Sequence, residues 1–221
     1  MKELFVFKKL FVSAVILGCS LGFASCNDDD EIPFVPPITP QVMYGGFDGT
    51  VIAIPAASPE AENGNQDETP VGTEISAKVN NDTVYFDKFP IKDIVFSIVE
   101  DEEKANQILE AIEDVKYKVG YKAQLNAAKD SVCFTLDPKS LNLEFAIPES
   151  APKEGEDVIP YKVEVKISAV EEFVNSYELS STNLKFKFRA DEVTLAKGEE
   201  LMPVEFAPIV FDFDMKKAKS E

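Results

Sequence analysis

From residue 115 onward, apolar and polar positions alternate with little interruption. Val115, Tyr117, Val119, Tyr121, Ala123 and Leu125 are separated by Lys116, Lys118, Gly120, Lys122 and Gln124. The same period runs through Val132, Phe134 and Leu136, then Leu141, Leu143, Phe145 and Ile147. It returns in Tyr161, Val163, Val165, Ile167 and Ala169, and again in Leu184, Phe186 and Phe188. Shorter apolar segments follow at residues 193–195 and 204–215. A period of two with one polar face is the pattern of antiparallel sheet packed on one side. Upstream, residues 74–79 and 83–89 flank Asn80-Asn81-Asp82 and predict a hairpin, because these residues tolerate turn dihedrals. Residues 44–54 predict a first strand holding Gly45, Gly46 and Gly49. Glycine inside a strand marks a bulge, a sharp bend or a close backbone approach.

One segment breaks the period. Ser97-x-x-Glu100 reads as a capping box, and Glu100 to Glu103 complement a helix dipole. Ala105, Ile108, Leu109 and Ile112 recur at helical spacing, so a helix is expected near residues 98–113. The acids in it are dipole complement and solvation rather than a metal cluster. Some nine or ten short strands and one helix make the chain mainly β. The expected fold is a single antiparallel barrel or strongly curled sheet, with a β-sandwich as the alternative. Glycine bends and the removal of exposed edges favour closure. Lysines on the polar faces argue against a membrane-spanning barrel.

The start of the chain sets its expected address. Lys2, Lys8 and Lys9 precede an apolar run from Leu10 to Leu17, and Ala24-Ser25-Cys26 follow. This is the layout of a secretory signal, too short to span a bilayer as an anchor. Phe23-Ala24-Ser25-Cys26 resembles the lipobox of bacterial lipoproteins, with Phe23 a departure from the usual aliphatic residue. The resemblance implies that Cys26 is the lipid acceptor and residues 1–25 are removed. Ile16-Leu17-Gly18-Cys19 is a second candidate, and cleavage without lipid after Ala24 or Ser25 a third reading. Residues 26–41 are acidic and proline-rich and read as a stiff tether, reaching on the order of 45 Å. The Asp28-Asp29-Asp30 run lacks the spacing of a calcium loop. Residues 42–221 form the single β domain, with polar loops at residues 55–70 and 148–157. Cys133 is then a lone thiol, read as a small packed strand residue.

Composition narrows the chemistry. With 40 acidic and 22 basic residues the formal charge is −18, which argues against nucleic acid as a partner and keeps the body off anionic lipid. There is no histidine, so imidazole-based triads, dyads and zinc sites are excluded. No phosphate-binding glycine loop is present, and no pattern requires a cofactor. A carboxylate-based glycoside hydrolase is a third reading, because it needs only two acids. Asp212 and Asp214 share one face of the last strand and are candidates for a paired-carboxylate or calcium site, or simply its wet face. Lysine-rich faces at residues 116–122, 162–166 and 185–189 either pair with acids across strands or form a basic strip for an anionic ligand. The 17 phenylalanines, most of them in the β domain, either fill a barrel or line a lipophilic pocket.

Cys26-Asn27-Asp28-Asp29-Asp30 resembles the surface-export signal of Bacteroidetes lipoproteins. Residues 79–95, with Asn80-Asn81-Asp82-Thr83-Val84-Tyr85-Phe86 and Phe89-Pro90-Ile91, resemble families known only as domains of unknown function, some with calycin-like barrels. The resemblance implies an outer-membrane lipoprotein at the cell surface, or facing the periplasm, held by lipid on Cys26. It transfers no catalytic or ligand-binding residue. The expected role is a non-enzymatic binding or interaction module for a glycan, a protein or a small apolar ligand. A lipocalin-like carrier is the alternative.

Overall fold

The alternating segments fold as antiparallel strands in a computed structural model that describes residues 37–56, 72–99, 101–112, 114–145 and 160–219. Cys19, Cys26, the tether as far as residue 36, and most of both polar loops lie outside the described residues. The strands are β1 (Gly45–Pro55), β2 (Thr73–Asn80), β3 (Thr83–Phe86), β4 (Tyr117–Leu125), β5 (Ser131–Asp137) and β6 (Leu141–Phe145). They continue as β7 (Tyr161–Ala169), β8 (Asn175–Glu178), β9 (Asn183–Lys197), β10 (Glu200–Met202) and β11 (Ile209–Lys217). Eight of them close in the order β1–β2–β3–β4–β5–β8–β9–β11, and β11 pairs back onto β1. The fold is therefore mainly β and a closed eight-stranded barrel; the sandwich alternative is set aside.

The seam between first and last strand depends on Gly49. It lies opposite Met215, and a Cβ built on it would sit 2.2 Å from the Asp214 carbonyl oxygen and 2.5 Å from the Met215 Cα. Only a residue without a side chain lets β1 ride this close to β11.

An eight-stranded barrel is just wide enough for side chains to fill it. Here phenylalanines do so. Phe186 and Phe213, register partners on β9 and β11, stack with centroids 4.5 Å apart. Phe86 reaches them from β3, on the far side of the ring, at 6.3 Å and 5.4 Å. Phe89, after β3, packs between Tyr117, Phe188 and Phe211 at 5.1 to 5.9 Å. Rings from opposite walls thus meet across the diameter. One end is covered by a 3-10 turn, Pro40–Met43, which buries Met43. There the half-buried Lys217 donates from Nζ to the Val42 carbonyl over 2.6 Å, and burial holds its pKa below the usual lysine range.

Two features shape the wall. β8 pairs with β5 only as far as Asn175, and with β9 only at residues 183–185. The Asn175 amide then bridges its neighbours. Nδ2 donates to the Phe134 carbonyl (3.3 Å), and Oδ1 accepts from the Lys187 N–H (3.0 Å). It is the one buried polar residue among those described. The second feature is a bulge. Opposite β7 the register slips between Lys166 and Ile167, leaving Asp191 as the extra residue on β9. Ala190 and Val193 are consequently both buried, with Asp191 and Glu192 between them. A bulge bends its strand, and beyond this one β9 leaves the barrel. With β6, β7 and β10 it forms a four-stranded wing.

The expected single helix near 98–113 is corrected to two short helices, α1 (Lys92–Ile98) and α2 (Glu102–Ala111). Ser97 does not cap a helix start. It lies inside α1 and its hydroxyl donates back to the Ile94 carbonyl, 2.7 Å away. Val99 is extended, which ends α1, and Asp101 caps α2 by accepting from the Lys104 N–H at 3.0 Å. Among the described residues no helix is long and apolar enough to cross a membrane.

Candidate ligand-binding cleft

The wing extends apolar faces past the barrel, and the helix pair covers only part of them. α1 buries Ile94 and Val95, and α2 buries Ala105 and Ile108; Ile98, Val99, Leu109 and Ile112 stay half-exposed. On the wing, Phe145 and Tyr161 are register partners whose rings stack at 5.8 Å, beside Val163 and Leu195. Between helices and wing lies a cavity of about 650 Å³, lined by Ile98, Ile108, Phe145, Tyr161 and Met202 among others. Its volume and apolar walls fit a small-molecule site. Among the described residues few polar side chains line it: Lys104 and Gln107 from α2, and Tyr161. The Lys197 ammonium sits over the Tyr161 ring, 5.2 Å from its centroid. Leu201, next to the lining residue Met202, is 71% exposed.

The other candidates resolve differently. Asp212 and Asp214 share the outer face of β11, but each meets a lysine directly across the ladder. Asp212 pairs with Lys187 at 2.7 Å, and Asp214 with Lys185 at 2.9 Å. The bond to Asp214 raises the pKa of Lys185. Each carboxylate therefore meets an ammonium across the ladder rather than the other acid in a cleft. Among the described residues no three His, Cys, Asp or Glu side chains converge to hold a metal. Of the lysine-rich faces, residues 185–189 are thus paired with acids. On β7, Lys162 stands opposite Glu144 and Lys166 opposite Glu192. On β4 the neighbours are different, Tyr85 beside Lys118 and Thr135 beside Lys122. Cys133 is a free, half-buried thiol opposite Gln124 and Ser176, on the outer side of β5.

A second concavity, about 860 Å³, lies on the outer wall of β1 to β3 and includes Asp48, Glu74, Lys78, Asp87 and Lys88. Its walls mix strand backbone with charged side chains, which suits water better than an apolar ligand. The cleft by the helices was not visible in the sequence as a site. Its one signal is Lys104, a lone cation in the acid-rich stretch Asp101 to Glu110, four residues before the core residue Ile108 and so on the same helix face.

No curated protein and no solved structure matches the chain. Residues 42–195, more than half of its length, match the family described as Domain of unknown function (DUF4840), and the chain belongs to that family.

Proposed function

We propose that this is a lipid-anchored, non-enzymatic binding protein, displayed on an outer membrane and taking a small apolar ligand in the cleft between the helix pair and the wing. The observation that carries the reading is the position of the apolar cavity: it lies outside a barrel whose own interior is occupied by phenylalanine rings. A lipocalin-like carrier holds its ligand inside the barrel, so the carrier role moves here to the external cleft. The lipobox-like Phe23-Ala24-Ser25-Cys26 and the acidic run after it support the anchor, the tether and the surface address of Bacteroidetes-type lipoproteins. Two acyl chains or more on Cys26 give stable attachment without any contact between the acidic body and the membrane.

Two measurements test the reading. Cys26→Ser should abolish palmitate labelling and release the protein from the membrane fraction; retention of either removes the anchor. The neutral apolar fluorophore N-phenyl-1-naphthylamine should brighten on binding the full chain, and Met202→Asp should suppress the signal. Met202 is 39% exposed, so the variant is expected to fold. No brightening, or brightening that ignores Met202→Asp, refutes the cleft as the site.

A further inference from the structure

The charges around the cleft are not arranged as the composition would suggest. The chain carries a formal charge of −18. Yet among the described residues the one charged side chain in the cleft wall is a cation, Lys104. Its helix also carries Glu102, Glu103 and Glu110, all exposed and none of them lining the cavity. Lys104 shares a face with Ile108, on the apolar side of an otherwise acidic helix. Among the described residues its ammonium forms none of the ion pairs that occupy Lys88, Lys139, Lys185, Lys187 and Arg189. Gln107, one turn along, adds an amide to the same wall. An apolar cavity whose wall holds, among the described residues, a single cation without an ion pair and an amide is complementary to a molecule that is apolar along its body and negative at one end.

We infer that the cleft takes an amphiphile of the fatty-carboxylate class, with its chain against Phe145, Val163 and Leu195 and its carboxylate at Lys104. This rests on the reading of the cleft as the binding site, and deepens it by naming the ligand chemistry.

Displacement of N-phenyl-1-naphthylamine from the full chain, by decanoate and by decanol below micelle formation, separates the two claims. Lys104 is exposed, so Lys104→Gln is expected to fold. It should weaken decanoate about fivefold, equivalent to ~1 kcal/mol, and leave decanol within about twofold. Met202→Asp should weaken both. If Lys104→Gln leaves decanoate unchanged while Met202→Asp still removes the fluorophore, the anionic end group is refuted and the cleft stands. If Met202→Asp changes nothing, or the fluorophore never binds, the cleft itself is refuted and the ligand class falls with it.

Discussion

The Asp212 carboxylate lies 2.7 Å from the ammonium of Lys187, its direct partner across β9 and β11. The same ammonium sits 4.7 Å from the centroid of the Phe173 ring. One rung along, Asp214 and Lys185 repeat the pair at 2.9 Å. Two acids on one strand face, read alone, suggest a cation site; two lysines opposite them turn the same residues into a cross-strand ladder.

That ladder sets a prediction of small effects. The Asp214–Lys185 pair is about half exposed at both ends, and the Asp212–Lys187 pair less so. Exposed ion pairs contribute about 0–1 kcal/mol. Asp214→Asn should therefore leave stability almost unchanged. Asp212→Asn should cost up to about 1 kcal/mol in urea unfolding, a difference that shrinks in molar salt. Millimolar calcium should not raise the melting temperature of the wild-type chain. A calcium-dependent rise that disappears in the double variant would restore the metal site.

Gly49 is where the barrel depends most on the absence of a side chain. Adding a methyl group would bring it into backbone, which has no rotamer to escape to. Gly49→Ala should destabilise the chain by about 3 kcal/mol or more. Gly46→Ala is the matched control, since the nearest atom to its new Cβ is the Ala218 side chain at an ordinary 3.7 Å. Thermal unfolding of the two variants should differ by many degrees. Equal melting temperatures would remove the close approach as the reason for glycine in this strand.

Two tyrosines of β4 provide an opposed pair. Tyr117 donates its hydroxyl to the Lys139 carbonyl at 2.7 Å, whereas the buried Tyr121 hydroxyl has no partner among the described residues. Tyr117→Phe should cost about 1 kcal/mol, and Tyr121→Phe should be neutral or stabilising by about as much. The pH dependence adds a signature. Burial, reinforced by Tyr44 and Asp82, pushes the Tyr121 phenol well above its ordinary pKa of 10.0. A group whose pKa is raised by folding contributes stability that is complete below the unfolded pKa and is lost as pH rises beyond it. The advantage of Tyr121→Phe over wild type should thus widen above pH 10. A constant difference from pH 7 to 11 would contradict a buried, neutral phenol.

The pattern of inward residues was readable because it depends only on period and polarity. β7 occupies the expected 161–169, and the hairpin at Asn80-Asn81-Asp82 forms with Asn81 and Asp82 at positive φ. The glycines of β1 signal a bulge, a bend or a close approach alike, and only the pairing with β11 shows that Gly49 serves a close approach. What escaped has a physical cause in each case. The bulge at Asp191 interrupts alternation, so one fifteen-residue strand read as two segments. β8 and β10 are 4 and 3 residues long, too short to show a period. The helix expected near 98–113 corresponds to α2 alone; α1 escaped because its seven residues, Lys92–Ile98, are too few to show a helical period. The cleft is a product of β9 leaving the barrel, and nothing local to Phe145, Lys104 or Leu195 announces that they meet.

Asn175 tests whether the wall is held where β8 stops. Its amide satisfies one acceptor on β5 and one donor on β9 in a position only 4% exposed. Asn175→Ala leaves both unpaired and should cost about 2–6 kcal/mol, since each buried unsatisfied group costs ~1–3 kcal/mol. Asn175→Asp is more discriminating. An ionised carboxylate can accept from the Lys187 N–H, but it would face the Phe134 carbonyl with a buried negative charge. The protonated acid can donate to that carbonyl and still accept, as asparagine does. Folding therefore raises this carboxyl's pKa above the ~3.9 of an unfolded aspartate. By linkage the Asn175→Asp variant should come close to wild type near pH 4 and fall behind it as pH rises toward 7. Urea unfolding of both chains at matched pH measures the gap. A penalty independent of pH would mean that the side chain only fills space, and that β5 and β9 are held on either side of β8 without it.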